Sequence, residues 1–249
     1  MKFSIITAVF NRSQTIERSI ASVRNQSYKN VEHIVIDGGS SDGTVELITT
    51  SLLRPDIFIS EKDNGIYDAL NKGILMASGD VIGFMHSDDF YSNPNVLDKV
   101  AKYFENPATD IVYGDAVFFH PNNQSKVVRR YRSSEYSCRN LAWGIMPAHT
   151  SMFFRSTIFK KHGLFKTDFK IAADYEYLCR IITQDSPKYV YLDEILINMS
   201  LGGISTAGLS STIQLNREVL RACLKNGVST NIFKILSKYP MKLLEYVRL

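Results

Sequence analysis

Apolar runs rich in β-branched residues alternate with helical patterns along the first third of the chain. We predict strands over residues 3–10, 31–36, 56–60 and 80–85. We predict helices over residues 13–25, which Ser13 would cap, from residue 44 onward, and over residues 66–77. Because β-α-β-α alternation requires right-handed crossovers, it favours a largely parallel sheet covered by helices. The fold class is therefore predicted to be α/β.

The pattern changes in the second half of the chain. Two apolar runs on either side of Pro121 predict a hairpin, with its strands over residues 111–119 and 126–131. A strand over 150–155, a short helix ending at Gly163, a helix over 174–184 and a strand over 189–192 are expected next. From about residue 206 the chain has helical spacing, which predicts a C-terminal helical extension.

Length and cysteine content set the broad class. A chain of 249 residues with 45% hydrophobic and 22% charged residues is typical of a globular protein with a sizeable core. The three cysteines (Cys138, Cys179 and Cys223) lack metal-ligand spacing, and their odd number does not favour a disulfide framework. We therefore expect a cytoplasmic protein. The first apolar run is interpreted as a strand and not a signal peptide, and no apolar run is long enough to span a membrane.

The charge is placed unevenly. The net charge is +4, and the residues from Leu201 onward carry seven Lys or Arg against two Glu, an excess of five that leaves about −1 for the rest. This distribution argues against a nucleic-acid partner. Residues 231–249 have apolar residues at helical spacing with lysines on another face, and Pro240 should interrupt that helix. We expect peripheral membrane contact there; packing on the domain and a homo-oligomer contact are the alternatives.

Two adjacent carboxylates, Asp88 and Asp89, end the predicted strand at 80–85. Buried charges are costly unless they are paired or bind a metal, and ligands of open α/β sheets lie beyond the carboxyl ends of the strands. Mg²⁺ and Mn²⁺ prefer oxygen ligands and combine one or two carboxylates with substrate phosphates. The pair predicts a metal site completed by a phosphorylated substrate; an ordinary turn is the alternative.

Two other loops have the composition of phosphate or nucleoside contacts. Asp37 ends the second strand before a glycine-rich turn, where it could accept hydrogen bonds from a base or ribose; a capped strand–helix connection is the alternative. The glycines there do not fit the dinucleotide fingerprint. Lys72 lies four residues after Asp68 on the predicted helix, so it either pairs with that carboxylate or faces a phosphate.

These segments together resemble one enzyme family. Strand one ending at Thr7-Ala8, the run from Asp37 to Thr44, the run from Asp63 to Gly73, and Ser87-Asp88-Asp89 occur in the order seen in family-two glycosyltransferases. Within that family the sequence is most similar to the branch that builds bacterial surface polysaccharides, such as the colanic-acid type. The resemblance implies a GT-A fold, a nucleotide-sugar donor (UDP being the commonest), a divalent cation (Mn²⁺ or Mg²⁺) and inversion at the anomeric carbon.

The resemblance also implies roles for single residues. Thr7, Ala8 and Asp37 would contact the nucleoside, Asp88 would lie near the ribose or metal, and Asp89 would be the principal metal ligand. His86 stands where the family's first motif acid usually stands. It is a candidate contact for phosphate or metal, and an ordinary hydrogen-bonded histidine is the alternative.

The resemblance extends more weakly to about residue 205. Asp174 matches the family's general base at the start of a helix, where an ionised carboxylate is favoured; simple N-capping is the alternative. Glu176 should point elsewhere because residues two apart do not share a helix face. His149 is a candidate acceptor or phosphate contact. Residues 201–205 resemble a flexible closing loop, and a plain turn is equally consistent.

The expected organisation is a glycosyltransferase domain over 1–205, with a nucleotide-binding half (1–90) and an acceptor half (91–205), followed by a helical extension over 206–249. The expected function is transfer of a sugar to a hydroxyl of a growing, lipid-linked surface polysaccharide, at the inner face of the plasma membrane. A catalytically silent sugar-nucleotide-binding subunit is the alternative. A nucleotidyltransferase is disfavoured, because Asn11-Arg12-Ser13 is not a glycine-rich phosphate loop.

Overall fold

A single mixed sheet forms the centre of the molecule. The structure, a computed structural model, describes residues 1–120, 123–134, 136, 138–201 and 208–240. Within these residues the strands are β1 (Phe3–Val9), β2 (Val31–Asp37), β3 (Ile57–Ser60), β4 (Val81–Phe84), β5 (Phe90–Tyr91), β6 (Ile111–His120), β7 (Asn123–Tyr131), β8 (Met152–Arg155) and β9 (Tyr189–Ser200). Their order is β3-β2-β1-β4-β8-β6-β9-β5, with β7 paired to β6.

Helices connect and cover these strands. They are α1 (Ile16–Arg24), α2 (Thr44–Thr50), α3 (Ile66–Met76), α4 (Val96–Phe104), α5 (Ser156–His162), α6 (Ala173–Asp185), α7 (Leu209–Lys225) and α8 (Ile232–Leu236). None of the helices in the described part of the chain combines the length and the apolar character needed to span a lipid bilayer.

Strand direction divides the sheet in two. β3, β2, β1 and β4 are parallel, with Ile6 paired to Ile34 on one side and to Phe84 on the other. β8 then runs antiparallel to both β4 and β6, whereas β9 is parallel to β6. The predicted α/β class is confirmed, but the parallel arrangement is confined to the first four strands and the β6–β9 pair. The hairpin β6–β7 and the return strand β8 make the second half mixed.

Both faces of the sheet are buried, as parallel strands require. On β1, Ile6 packs with Leu70 of α3 and residues of α5 and α6, whereas the adjacent Ile5 packs on the opposite face with Val100 of α4. Close packing of α3 depends on Gly73, because a Cβ there would lie 2.4 Å from Cγ2 of Ile6. The carboxyl end of β1 is thus held between two cores, which fixes the position of the loops that follow.

Several element boundaries differ from the prediction. Helix α1 begins at Ile16 and Ser13 does not cap it, because the amides of Thr15 and Ile16 both donate to the Arg12 carbonyl and close a turn first. The strand expected from residue 150 begins at Met152, after a 3₁₀ turn. The strand expected over 189–192 continues to Ser200 because its pairing with β6 resumes at Ile195 after an irregularity at 193–194. The sequence interpretation missed β5 and α4.

The C-terminal prediction is confirmed for the part that the structure describes. α7 packs on α6 and α8 packs on α7. The proposed closing loop over 201–205 lies outside the described residues except for Leu201, and so does the end of the predicted amphipathic helix, 241–249.

Candidate active site

A cavity of about 640 Å³ lies where the parallel strands end. The loop after β1 and the loop after β4 form one wall, and the start of α3 and the start of α6 form another. The segment before β8 and the C-terminal helices complete the lining, through residues that include Pro147, Leu215, Val219 and Lys238. The position agrees with the rule that open α/β sheets bind ligands beyond the carboxyl ends of their strands.

The loop after β4 places three potential metal ligands side by side. One ligand atom each from His86, Asp88 and Asp89 lies within 4.8 Å of the others. The turn is closed by the Asp89 amide, which donates to the His86 carbonyl at 3.1 Å. Asp89 is only 2% exposed, and its carboxylate accepts the Thr150 hydroxyl and the Ser200 amide, each at 3.3 Å. Strands β4 and β9 and the turn before β8 therefore fix this carboxylate together.

Burial and the charge of Asp88 act on the protonation of Asp89 and of His86. Burial, and then the neighbouring charge of Asp88, raise the pKa of Asp89 well above its usual value. Burial lowers the pKa of His86, although Asp88 opposes the effect, which favours the neutral imidazole. The nearby Arg18 guanidinium donates to the Asp88 carbonyl at 2.9 Å and lies 4.6 Å from the centre of the Phe90 ring. Its charge relieves part of the repulsion between the two acids.

The residues present fit a divalent cation. Two carboxylates and a neutral imidazole are a common donor set for Mn²⁺, and Mg²⁺ accepts the carboxylates. The Nε2 atom of His86 is buried and makes no hydrogen bond within the described residues, so one nitrogen donor is unused. The Nε2 atom of His149 is also buried and makes no hydrogen bond within the described residues. The centre of its ring lies 4.7 Å from the centre of the Phe84 ring, on which it stacks, and 5.9 Å from the centre of the His86 ring. Asp88, Asp89 and His86 are therefore the residues that would hold the cation.

Asp174 lies on another wall of the same cavity, in the first turn of α6. Its Oδ1 atom accepts the Tyr67 hydroxyl at 3.0 Å and the Tyr175 amide at 2.8 Å. Burial raises the pKa of Asp174 from its usual 3.8 to about 6, even though both hydrogen bonds lower it. A carboxylate with this pKa is ionised at neutral pH and basic enough to accept a proton.

Glu176 points away from the cavity, as predicted. It is fully buried and pairs with Lys166 and Arg180, each at 3.0 Å. Asp174 is therefore the carboxylate that the start of α6 presents to the cavity.

The structure brings six of the predicted site residues to the cavity wall and leaves three out. Those on the wall are Ala8, His86, Asp88, Asp89, His149 and Asp174. Thr7 is fully buried behind the wall, and its hydroxyl lies 3.0 Å from Nε2 of His33. Lys72 pairs with Glu61 at 2.7 Å and with Asp68 at 3.6 Å, away from the cavity. Of the two alternatives for Lys72, this conformation shows pairing with Asp68, with Glu61 as the nearer partner.

Asp37 also lies outside the cavity lining, with none of its surface exposed. Its carboxylate accepts the amides of Gly39 and Ser40 at 3.0 and 2.9 Å and the Ser60 hydroxyl at 2.7 Å. In this conformation the Asp37 side chain holds the glycine-rich loop in place. Its predicted contact with a nucleotide base requires some of these hydrogen bonds to break.

Four residues of the site were missed by the sequence interpretation. Arg18 of α1 donates to the Asp88 carbonyl, Tyr67 of α3 contacts Asp174, and Glu218 of α7 accepts backbone amides just before Asp174. Arg129 lines the cavity and lies 5.2 Å from the rings of Phe118 and Tyr131. Arg18 and Glu218 reach the site through contacts between residues distant in sequence, whereas Tyr67 lies within the run from Asp63 to Gly73 that carries the family resemblance.

Comparison with known proteins agrees with this geometry. The family model described as Glycosyl transferase family 2 matches residues 4–163. An uncharacterized glycosyltransferase of Mycobacterium tuberculosis is 36% identical over 182 residues, covering 71% of this chain and 67% of that protein. A PGL/p-HBAD biosynthesis glycosyltransferase of Mycobacterium bovis is 25% identical over 225 residues, covering 88% of this chain and 82% of that protein.

Solved structures share the fold. S. aureus TarS 1-349 in complex with UDP-GlcNAc has a TM-score of 0.69 at 18% identity, covering 90% of this chain and 67% of that one. The chain spans 40% of the longer TarS structure. A mannosyltransferase from Pyrobaculum calidifontis in complex with GDP-Man and Mn²⁺ also has a TM-score of 0.69 at 18% identity, covering 99% of this chain and 73% of that one.

The fold is therefore GT-A-like, the arrangement expected from the sequence. Because the family model spans well over half of the chain, and a relative above 30% identity is covered over two thirds of its length, the chain belongs to glycosyl transferase family 2.

Proposed function

We propose that the protein is an inverting glycosyltransferase that moves a sugar from a nucleotide-diphosphate donor to an acceptor hydroxyl. The observation that carries the proposal is the placement of two acidic groups on one cavity: the His86–Asp88–Asp89 cluster and Asp174. The first group suits a cation and the diphosphate, and the second suits proton transfer. Structures of the same fold have been solved with UDP-GlcNAc and with GDP-Man and Mn²⁺, which supports a nucleotide-sugar donor.

The donor would bind with its diphosphate beside the loop after β4. Asp88, Asp89 and His86 would hold a divalent cation, Mn²⁺ or Mg²⁺, which would supply Lewis-acid stabilisation of charge on the leaving diphosphate. Arg18 and the bonds from Thr150 and Ser200 keep the Asp89 carboxylate in place. Ala8, with Thr7 and Asp37 behind it, would form the nucleoside side of the site, and Lys72 and His149 remain candidates for phosphate contacts.

Asp174 would act as the general base. The Tyr67 hydroxyl and the Tyr175 amide both bind Oδ1, which directs the carboxylate toward the cavity. The acceptor hydroxyl would give its proton to Asp174 while its oxygen attacks the anomeric carbon from the face opposite the leaving group. A single displacement of this kind inverts the configuration, and a general base in it contributes typically ~10²–10⁴-fold to the rate.

Apolar side chains also line the cavity. Half-buried Ile66, Met146 and Leu215 line it together with the buried Val219. We propose a lipid-linked acceptor on this ground, in the growth of a surface polysaccharide of the colanic-acid type, with UDP as the nucleotide.

We also propose that the chain divides into a catalytic domain over 1–205 and an extension over 206–249. The catalytic domain would have a nucleotide-binding half over 1–90 and an acceptor half over 91–205.

A donor screen tests the proposal. The chain is incubated with UDP-, GDP- and dTDP-sugars, with and without Mn²⁺, and both thermal shift and release of nucleoside diphosphate are measured. We expect one nucleotide class to stabilise the protein in a cation-dependent way and to be hydrolysed slowly. Cation-dependent binding without any hydrolysis or transfer would instead support the silent binding subunit.

We further propose that the C-terminal segment brings a cytoplasmic enzyme to the inner face of the plasma membrane. Trp143, Phe233 and Leu236 are exposed in or beside α8, and the Lys234 ammonium lies 5.8 Å from the Trp143 ring. Apolar side chains flanked by cations suit an anionic bilayer surface. Co-sedimentation with phosphatidylglycerol-containing liposomes should be lost when residues 231–249 are removed. Unchanged binding by the shortened chain would contradict membrane contact there, and a change in oligomeric state would favour a homo-oligomer contact.

A further inference from the structure

The C-terminal helix α7 binds the segment that leads into the candidate base. Glu218, a buried residue of α7, accepts three backbone amides in a row: Lys170 at 3.0 Å, Ile171 at 2.9 Å and Ala172 at 2.9 Å. These residues immediately precede α6, whose first turn carries Asp174. The amides before and in the first turn of a helix have no partner within the helix, so the Glu218 carboxylate supplies the missing acceptors.

One of these peptide units leads to the carboxylate of the base. The Ala172 amide donates to Glu218, and the Ile171 carbonyl of the same peptide unit accepts the Tyr67 hydroxyl at 2.7 Å. The one proton of that hydroxyl is shared with Oδ1 of Asp174, which lies 3.0 Å from the Tyr67 oxygen. A path of polar contacts therefore runs from Glu218 through the Ile171–Ala172 peptide and Tyr67 to Asp174.

A second contact on α7 holds the preceding residues. Arg221, one turn after Glu218, donates to the Asp168 carbonyl at 2.8 Å, and its guanidinium lies 3.8 Å from the centre of the Phe169 ring. α7 thus fixes the backbone from residue 168 to residue 172. Two residues of α7, Leu215 and Val219, also line the cavity of the site.

We propose that Glu218 is a positioning residue, through which α7 sets the geometry and basicity of Asp174. The proposal rests on the proposed function, in which Asp174 is the base. The carboxylate is required because Glu218 offers two acceptor oxygens and no donor, and a glutamine there would turn its amide N–H groups toward the N–H groups of the segment. Although burial opposes ionisation, the three backbone bonds and the Gln214 side chain hold the pKa of Glu218 below its usual value, so it is charged at neutral pH.

The charge of Glu218 also reaches Asp174. Tyr67 from α3 and Glu218 from α7 act in opposite directions, since the tyrosine bond lowers the pKa of Asp174 and the Glu218 charge raises it. Removing the charge should therefore lower the pKa of Asp174, and removing the tyrosine hydroxyl should raise it. A role limited to general stability would not predict shifts of opposite sign.

The experiment compares Glu218→Gln with Arg217→Gln, a matched control on the same helix whose side chain is exposed and lies outside the active-site cavity. Asp174 is titrated by ¹³C NMR of the side-chain carboxyl in the ligand-free protein, with Asp174→Asn assigning the signal. Glu218→Gln is expected to move the midpoint below the wild-type value of about 6, and Arg217→Gln to leave it close to wild type. A midpoint unchanged or raised in Glu218→Gln overturns the proposal.

Kinetics supply the second readout, with UDP-GlcNAc and GDP-mannose as the first donors tested. Glu218→Gln should lower kcat on the order of 10–100-fold and leave KM for the donor within about threefold, since a displaced base impairs chemistry more than binding. Glu218→Asp, which keeps the charge on a shorter side chain, should recover part of kcat. A kcat equal to that of Arg217→Gln, or a loss confined to KM, would overturn the positioning role.

A double-mutant cycle keeps the proposal testable if Glu218→Gln is unstable. Tyr67→Phe and Glu218→Asp interrupt the same path, so their effects on kcat should be less than multiplicative when combined. Fully multiplicative effects would contradict a shared path. Asp174→Asn distinguishes a failure of the proposed function from a failure of this inference. An active Asp174→Asn variant contradicts the proposed function itself. An inactive Asp174→Asn variant together with a fully active Glu218→Gln variant contradicts only the role of Glu218.

Discussion

Replacing Asp174 by Asn should make the folded protein more stable at neutral pH while it removes transfer. Burial raises the pKa of this carboxyl from 3.8 to about 6, so keeping it ionised in the folded state costs free energy. At ~1.36 kcal/mol per pKa unit, a shift of about two units corresponds to at most ~3 kcal/mol. Because the side chain retains some contact with solvent, we expect a gain of about 1–3 kcal/mol in the free energy of unfolding at pH 7.5.

The sign of the pH dependence follows from the raised folded-state pKa. Between about pH 4 and pH 6 the folded state binds a proton that the unfolded state has lost, so the stability of the wild type falls as the pH rises through this window. Above about pH 6 the cost is fully present. Asparagine carries no such cost, and its Oδ1 atom can still accept the Tyr67 and Tyr175 donors.

Urea unfolding at pH 7.5 and pH 5 measures the effect. The stability advantage of Asp174→Asn should be smaller at pH 5 than at pH 7.5, by up to about 1.4 kcal/mol for the full two-unit shift, because part of the cost in the wild type has then disappeared. Glu176→Gln, which breaks a buried ion-pair network on the same helix, should be destabilised at both pH values. An Asp174→Asn variant that is less stable than the wild type at pH 7.5, or whose advantage does not change with pH, would refute the reasoning.

Two other predictions concern the rate and the packing. The acid limb of kcat/KM should have a midpoint near pH 6 in the wild type, with about a tenfold loss per pH unit below it, and a midpoint near pH 4 would contradict the burial of Asp174. Gly73→Ala should lower the free energy of unfolding by about 1–3 kcal/mol, because the new methyl group would lie 2.4 Å from Cγ2 of Ile6. Thermal unfolding checks this, and an unchanged melting temperature would show that α3 moves to accept the methyl group.

The parallel half of the fold could be predicted because its signals are local. The strands β1 to β4 are short runs rich in β-branched and aromatic residues, and α3 shows apolar residues at helical spacing. The second half was harder, because the extent of β9 depends on its partner β6. Asp193 and Glu194 interrupt the apolar pattern of β9, yet pairing with β6 resumes at Ile195 and continues to Ser200. The helix α4 does carry the apolar spacing of a helix, at Val96, Leu97, Val100 and Phe104, and could have been predicted.

The residues of the candidate site, too, could be predicted from the sequence only where their signals are local. Asp88, Asp89 and Asp174 were predicted because they stand at element ends in a pattern shared with a family, and the cavity contains all three. Thr7, Asp37 and Lys72 were placed at the substrate by the same resemblance, but their side chains bind other groups of the protein in this conformation. Arg18 and Glu218 could not be predicted, because 70 residues separate Arg18 from Asp88, and 46 separate Glu218 from Ala172. Only the folded chain brings these charges to the site.

Paired substitutions at the two acidic groups test the account most directly. Nucleotide binding with and without Mn²⁺ is measured by calorimetry, and transfer is measured in the same samples, for Asp89→Ala and Asp174→Asn. We predict that Asp89→Ala loses the cation-dependent part of nucleotide binding, whereas Asp174→Asn binds like the wild type, and that transfer falls by at least about 100-fold in both. Cation-dependent binding that survives in Asp89→Ala, or near-normal transfer by Asp174→Asn, would contradict the account.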